Sequence, residues 1–121
     1  MTFLLDTMVV SFFRQAGREA ELADAARRCP MALVDEVRRE LQADPERGGA
    51  EFVRWLGTSN LEVRAITVGS AASATLSHLR HPVTPSMGVG ERASIALAST
   101  DEAFTFVTHD KGAMWIAIRE L

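Results

Sequence analysis

The chain has 121 residues, of which 47% are hydrophobic and 24% are charged, a composition typical of a globular protein and unlike that of a disordered or fibrous one. Thirteen basic and sixteen acidic side chains give a net charge of -3, which excludes a generic electrostatic attraction of the whole chain to nucleic acid or anionic membranes. The apolar N-terminal run has no basic leader and is interrupted by Asp6 and Arg14, so we expect neither a secretory signal nor a membrane span, and a cytoplasmic protein.

Turn residues punctuate the chain at short intervals, and no repeat or long linker divides it, so we expect a single domain over residues 1–121. Short apolar runs predict strands, and apolar residues at helical spacing predict helices. In chain order we expect a strand at 3–5, helices at 9–15 and 19–28, a strand at 31–34, a helix with Asp35 as its N-cap, a helix at 46–56, a strand at 61–66, a helix at 70–79, a loop at 81–90, a helix at 91–98, a strand at 104–108 and a helix at 113–118. Because strands alternate with helices, the order predicts a three-layer α/β/α domain with a central, mainly parallel sheet.

Acidic side chains follow the predicted strands, at the edge where parallel sheets form their sites. Asp6 ends the first strand, Asp110 follows the last one, and Glu91 opens the helix after the loop. The helix after the second strand carries Glu36 and Glu40, one turn apart on the same face, and either one is a candidate for the same edge.

Carboxylates gathered at this edge favour a metal site. Within about 5 Å of each other they repel by roughly 3 kcal/mol per pair at an effective dielectric constant near 20, so they take up protons or bind cations. Oxygen ligands suit Mg²⁺ or Mn²⁺, and such an ion lowers the pKa of water and stabilises charge on a phosphodiester under attack. The hydroxyls of Thr7 and Thr108 are candidates to orient water or phosphate there, and Gly90 allows close approach of the backbone.

Four segments in this order resemble the PIN-domain ribonucleases, whose most numerous members are the toxins of VapBC toxin-antitoxin pairs. Residues 3–7 (Phe-Leu-Leu-Asp-Thr) resemble the opening strand and first metal-binding aspartate, and residues 37–41 (Val-Arg-Arg-Glu-Leu) resemble a Val-x-x-Glu-Leu stretch. Residues 88–98 are similar to a Gly-x-Gly-Glu-x-x-x-Ile-x-Leu-Ala segment, and residues 106–111 are similar to a Val-Thr-x-Asp segment. The resemblance implies that Asp6, Glu40, Glu91 and Asp110 hold Mg²⁺ or Mn²⁺ and are the catalytic residues, with Glu40 preferred to Glu36.

The resemblance also implies the activity and the partners. We expect a metal-dependent endoribonuclease that hydrolyses RNA, the toxin of a toxin-antitoxin pair, with a protein antitoxin as regulator and a homodimeric assembly. The alternative is a non-catalytic PIN-like adaptor, immunity or regulatory protein whose acidic groove binds a basic partner. Met8, where many members carry Asn, and the chain end at Leu121, where members usually add a strand, favour this alternative.

Other side chains indicate a function less clearly than the acids do. His78 and His81 lack further ligands of the zinc type. Phe52, Trp55 and Trp115 are better explained by core or interface packing than by stacking on bases. Five arginines are candidates to guide an RNA backbone or to pair with the acids of a regulator: Arg14, Arg18, Arg38, Arg39 and Arg92.

Overall fold

The protein is described by a computed structural model, which covers residues 1–43, 48–79 and 88–108. These residues form four strands and six helices. In chain order they are β1 (Thr2–Leu5), α1 (Thr7–Gln15), α2 (Glu19–Arg28), β2 (Met31–Val34), α3 (Asp35–Ala43), α4 (Gly49–Thr58), β3 (Glu62–Arg64), α5 (Ala71–Leu79), α6 (Val89–Thr100) and β4 (Phe104–Val107). The expected helix at 113–118 lies outside the described residues.

The four strands form one parallel sheet in the order β3-β2-β1-β4. Helices connect each strand to the next along the chain, as parallel pairing requires, and the architecture is the expected three-layer α/β/α. The chain moves outward from β1 to β2 and β3 and then returns to the opposite side of β1 for β4. The direction of travel therefore reverses between β1 and β4.

The hydrophobic core lies between the sheet and its helices. Leu4, Leu33 and Val34 are fully buried on the two central strands. Each helix adds apolar side chains at helical spacing, such as Val37 and Leu41 on α3. The sequences of the central strands are nearly continuous apolar runs because helices cover both faces of the sheet.

Two elements have bounds that differ from those the sequence predicts. The strand expected at 61–66 is only Glu62–Arg64, because its neighbour β2 ends at Val34, which pairs with Arg64, and α3 begins directly afterwards. The helix expected at 46–56 is described from Gly49, after Gly48, whose φ of 70° is left-handed, and it continues to Thr58, two residues beyond its expected end. Residues 44–47, where the expected start falls, lie outside the described residues.

Helix α6 begins inside the predicted loop. Gly88 is its extended N-cap, and Val89 and Gly90 already have helical structure two residues before the expected start. The two glycines suggested a loop, but Gly90 is held by contacts with α3 that the local sequence does not reveal. Within the described part of the chain, no helix is long and apolar enough to cross a bilayer.

Candidate functional site

The candidate site lies at the carboxyl edge of the sheet, between β1 and β4. Asp6 follows β1 directly, and its backbone N–H donates to the carbonyl of Val107 at the end of β4, at 3.1 Å. This is the point where the direction of the sheet connections reverses. Crevices at such points are the usual ligand sites of open parallel sheets.

Asp6 is a fully buried carboxylate at this point, with 0% of its surface exposed. Its Oδ1 accepts a hydrogen bond from the backbone N–H of Thr7 at 2.7 Å, and its Oδ2 accepts one from the hydroxyl of Thr108 at 2.7 Å. Asp6 is also the N-cap of α1, so the positive end of that helix stabilises the carboxylate. These interactions satisfy both oxygens of Asp6 in a place where an unpaired carboxylate would cost several kcal/mol.

Glu40 is held by two segments that are distant in sequence. Its Oε2 accepts from the Thr7 hydroxyl at 2.8 Å, and its Oε1 accepts from the backbone N–H of Gly90 at 2.8 Å. Thr7 therefore bonds to both carboxylates, to Asp6 through its backbone and to Glu40 through its side chain. The expected convergence of remote segments is confirmed for these residues, which span 102 positions from Asp6 to Thr108.

Gly90 allows α6 to start against Glu40. An added Cβ at this position would lie 2.7 Å from Val37 Cγ2 and 3.0 Å from Glu40 Oε1, so a larger residue does not fit without displacement. The hydroxyl of Ser94, which is buried, donates to the carbonyl of Gly90 at 2.9 Å and fixes the same turn. The close backbone approach expected at Gly90 is therefore present, and its partner is the Glu40 carboxylate.

Glu36 differs from Glu40 in its surroundings, although the two share a face of α3. Glu40 has a donor for each oxygen, whereas Glu36 Oε2 is buried and has no hydrogen-bond donor among the described residues. Of the two glutamates, Glu40 is the one that the described contacts connect to Thr7, which also bonds to Asp6. The choice of Glu40 as a metal ligand stays a prediction. No pattern in the sequence indicates that Glu36 Oε2 has no donor among the described residues.

The other two predicted ligands are less fully placed. Glu91 lies in the first turn of α6, directly after Gly90, and is partly buried. Asp110 lies outside the described residues, although the chain approaches Asp6 two positions earlier, at Thr108. Across the ranges that the structure describes, no three His, Cys, Asp or Glu side chains form a group able to hold a metal ion.

The carboxylate oxygens of Asp6 and Glu40 are of the ligand type that hard divalent cations prefer. A carboxylate offers about four acceptor positions, and the two described bonds to Glu40 occupy two of them. Mg²⁺ is commonly held by one or two carboxylates together with water. Among the described residues, Asp6 and Glu40 are the two carboxylates that Thr7 connects, and their role as ligands stays a prediction. The Thr7 hydroxyl donates to Glu40 and the Thr108 hydroxyl donates to Asp6. The role expected of these two hydroxyls, the orientation of water or phosphate, stays a prediction.

The structure also shows the surroundings of the aromatic residues and arginines considered in the sequence. Phe52 is fully buried and packs against the half-buried Trp55, with ring centroids 6.1 Å apart, so the packing interpretation of these two is confirmed. Arg18 pairs with Glu21, and Arg38 and Arg39 pair with Asp35, so these arginines bind acids of their own segments. His81 and Trp115 lie outside the described residues.

Comparison of the chain with models of known families, with curated proteins and with solved structures finds no match.

Proposed function

We propose that this protein is a metal-dependent endoribonuclease of the PIN type, with its site at the Asp6 end of β1. The observation that carries the proposal is the fully buried Asp6 carboxylate, linked through Thr7 to Glu40 at the point where the sheet connections reverse. Asp6 and Glu40 would hold Mg²⁺ or Mn²⁺, with Glu91 and Asp110 as the further predicted ligands. RNA as substrate, an antitoxin as regulator and a homodimeric assembly rest on the sequence resemblance.

The chemistry assigns separate roles to the ion and to the protein. A bound ion supplies positive charge to the phosphodiester oxygens and lowers the pKa of water. Thr7 and Thr108 hold the carboxylates in fixed directions, which removes the need to reorganise them during the reaction. Burial of Asp6 excludes water from one side of the site and strengthens its electrostatic interactions.

An RNA-cleavage assay with a matched acid substitution tests this proposal. The wild-type protein is incubated with single-stranded RNA in Mn²⁺ and, in parallel, in excess EDTA. We expect cleavage in Mn²⁺ only, and Asp6→Asn lowers the rate at least about 100-fold, equivalent to about 2.7 kcal/mol in the barrier. Cleavage that persists in EDTA, or equal rates in wild type and Asp6→Asn, contradicts the proposal.

Asp24→Asn is the matched control, because it makes the same chemical change at a residue whose described partners, Arg27 and Arg28, lie on its own helix. Asp24 lies on α2, where the hydrogen bond from Arg27 holds the pKa of this carboxyl below its usual value. We expect the control to cleave RNA at the wild-type rate. A loss of rate in Asp24→Asn equal to that in Asp6→Asn would show that the loss does not report on the site.

One observation favours a non-catalytic binding protein as the second candidate. Both oxygens of Glu40 already have protein donors, and Asp6 caps α1, so each acid has a structural use without any ligand. Under this alternative the carboxylates connect α1, α3 and α6, and Asp6→Asn lowers the free energy of unfolding without any dependence on Mn²⁺. The two candidates thus differ in the response of the wild-type protein to the metal.

A further inference from the structure

A second concave site lies where the end of α1 meets the beginnings of α2 and α4. It encloses about 140 Å³ and is lined by Arg14, Glu19, Glu51 and Trp55. Arg14 is seven residues beyond Thr7 on α1, which places its backbone about 10 Å along the helix from the candidate active site. We call it the Trp55 pocket, and none of its lining residues takes part in the proposed hydrolysis.

Arg14 forms an anchored wall of the Trp55 pocket. Its Nη2 donates to the carbonyl of Gly48 at 3.0 Å, and its guanidinium carbon lies 5.4 Å from the centroid of the buried Phe52 ring. A backbone carbonyl and a ring face therefore hold this cation in place. No carboxylate of the described residues forms an ion pair with it.

Glu19 and Glu51 bring two carboxylates without ion-pair partners among the described residues. The other two acids of α2 do have such partners, since Glu21 binds Arg18 and Asp24 binds Arg27. A position in the first turn of a helix favours an acid through the helix dipole, and both residues occupy such positions. The dipole explains each acid separately, but it does not explain why both line one concave site beside an indole.

Trp55 supplies an aromatic wall. One part of its ring system packs on Phe52 at an interplanar angle of 40°, and the residue is half-buried, so its position is fixed while part of it faces the pocket. The face of an indole is the aromatic surface that attracts cations most strongly. An indole beside two carboxylates is therefore suited to a positively charged group.

Charge and size define that group more closely. Two carboxylates and one guanidinium leave one negative charge, which a single cationic side chain neutralises. The volume of about 140 Å³ is well below the ~300–1,000 Å³ of sites for small molecules, so the pocket holds the end of a side chain and not a whole metabolite. Arginine fits better than lysine, because its planar fork bonds to carboxylates in pairs and stacks on an aromatic ring.

We propose that the Trp55 pocket binds an arginine side chain presented by a partner polypeptide. The arginine stacks on Trp55 and donates to Glu19 and Glu51, while Arg14 closes the opposite wall. This proposal does not depend on nuclease activity, and either one can fail without the other.

Fluorescence of Trp55 tests the proposal. The chain has two tryptophans, so Trp115→Phe leaves Trp55 as the reporter. The probe is the capped tripeptide acetyl-Gly-Arg-Gly-amide, titrated alongside the same peptides with Lys or Gln in place of Arg. We expect saturable binding of the Arg peptide, at least about tenfold weaker binding of the Lys peptide, and no saturable change with the Gln peptide.

Variants of the two acids locate the binding. In the same background, Glu19→Gln and Glu51→Gln each weaken binding of the Arg peptide about tenfold, the fold-change that accompanies loss of one hydrogen bond to a charged group. Glu21→Gln, on the same helix but already paired with Arg18, is the matched control and leaves binding unchanged. Unfolding curves of all variants confirm that each is folded.

Three results would overturn the proposal. Equal binding of the Lys and Arg peptides removes the selectivity for a guanidinium group. Unchanged binding in both Glu19→Gln and Glu51→Gln places the peptide elsewhere. A saturable Trp55 response to millimolar Mn²⁺ that blocks the peptide identifies the pocket as a cation site for metal.

Discussion

At the scale of single residues, Thr7 and Gly90 determine where Glu40 points. One donates to Oε2 through a hydroxyl and the other to Oε1 through a backbone N–H, and both donors lie 2.8 Å from the oxygen they bind. Neither contact is local in sequence, because Thr7 is 33 positions and Gly90 is 50 positions from Glu40. Substitution of each residue therefore tests a distinct part of the site.

Gly90→Ala is expected to destabilise the protein by about 1–3 kcal/mol, because the new Cβ would press on the buried Val37 and on Glu40. Urea unfolding measures the change. Gly57→Ala is the matched control, since Gly57 lies in α4 with no atom within 4 Å of an added Cβ. There we expect a gain of up to about 1 kcal/mol from helix propensity. Equal changes in the two variants would show that contact with Glu40 and Val37 is not what requires glycine at position 90.

Thr7→Val removes the hydroxyl donor to Glu40 but keeps the size of the side chain and the backbone bond to Asp6. We expect a loss of about 1.5–3 kcal/mol in the free energy of unfolding, the range for hydrogen bonds to charged groups, and weaker Mn²⁺ binding by calorimetry. Thr7→Ser keeps the hydroxyl donor, so it retains most of the free energy of unfolding and most of the affinity for Mn²⁺. Thr58→Val, which removes a hydroxyl bond to a carbonyl at the exposed end of α4, changes stability by less than about 1 kcal/mol and leaves Mn²⁺ binding alone. A Thr7→Ser variant as weak as Thr7→Val would refute the role of the hydroxyl.

At the scale of elements, α4 connects the core to the Trp55 pocket through one side chain. Phe52 is fully buried, and its ring contacts both Arg14 on α1 and Trp55 one turn later. The adjacent Val53 is on the exposed face of the same helix. The contacts of the Phe52 ring thus help to set the positions of Arg14 and Trp55, two lining residues of the pocket.

Phe52→Ala is expected to lower the free energy of unfolding by about 3–5 kcal/mol, because a buried ring is lost and a cavity remains. Val53→Ala is the control and should cost less than about 1 kcal/mol, since its side chain is 43% exposed. Chemical denaturation compares the two variants. If both cost the same, α4 does not pack on the core in the way described.

At the scale of the whole molecule, the carboxyl edge of the sheet brings together three helices and two strands around Asp6. Helices α1, α3 and α6 meet through Thr7, Glu40 and Gly90, and strand β4 joins them through Thr108. A ligand that binds this edge is therefore linked to the stability of the entire fold. Mass action converts its affinity directly into a shift of the unfolding midpoint.

Mn²⁺ at about 100 times its dissociation constant should stabilise the wild-type protein by about 2.7 kcal/mol, which corresponds to a rise in Tm of about 10 °C for a chain of this size. Differential scanning calorimetry with and without the ion measures the shift. Asp6→Asn should lose it, whereas Asp24→Asn should keep it because Asp24 lies on the surface of α2. A wild-type Tm that does not change with Mn²⁺ would contradict the metal site and favour the structural use of the acids.

Much of the fold was predictable from the sequence because its signals are local. Residues 19–28 and 31–34 were predicted with the bounds that the structure shows. Pro30 cannot continue the helix, and the strand is a short apolar run, so each signal acts within a few positions. The bounds of β3 were wrong, because an edge strand ends where its neighbour ends and not where its own alternation stops. The start of α6 was wrong because the contact of Gly90 with Glu40 outweighs the tendency of glycine to form loops.

The sequence by itself determined the alternation of strands and helices, and with it the parallel α/β architecture and the acids at the strand ends, because periodicity and turn residues operate over short distances. Only the tertiary structure decided that Thr7 bonds to both Asp6 and Glu40, and that one oxygen of Glu36 has no donor among the described residues. It also decided which residues line the Trp55 pocket: Arg14, Glu19, Glu51 and Trp55. These facts depend on the angles and distances at which packed elements meet. Such geometry is set by the whole core, and no short stretch of chain encodes it.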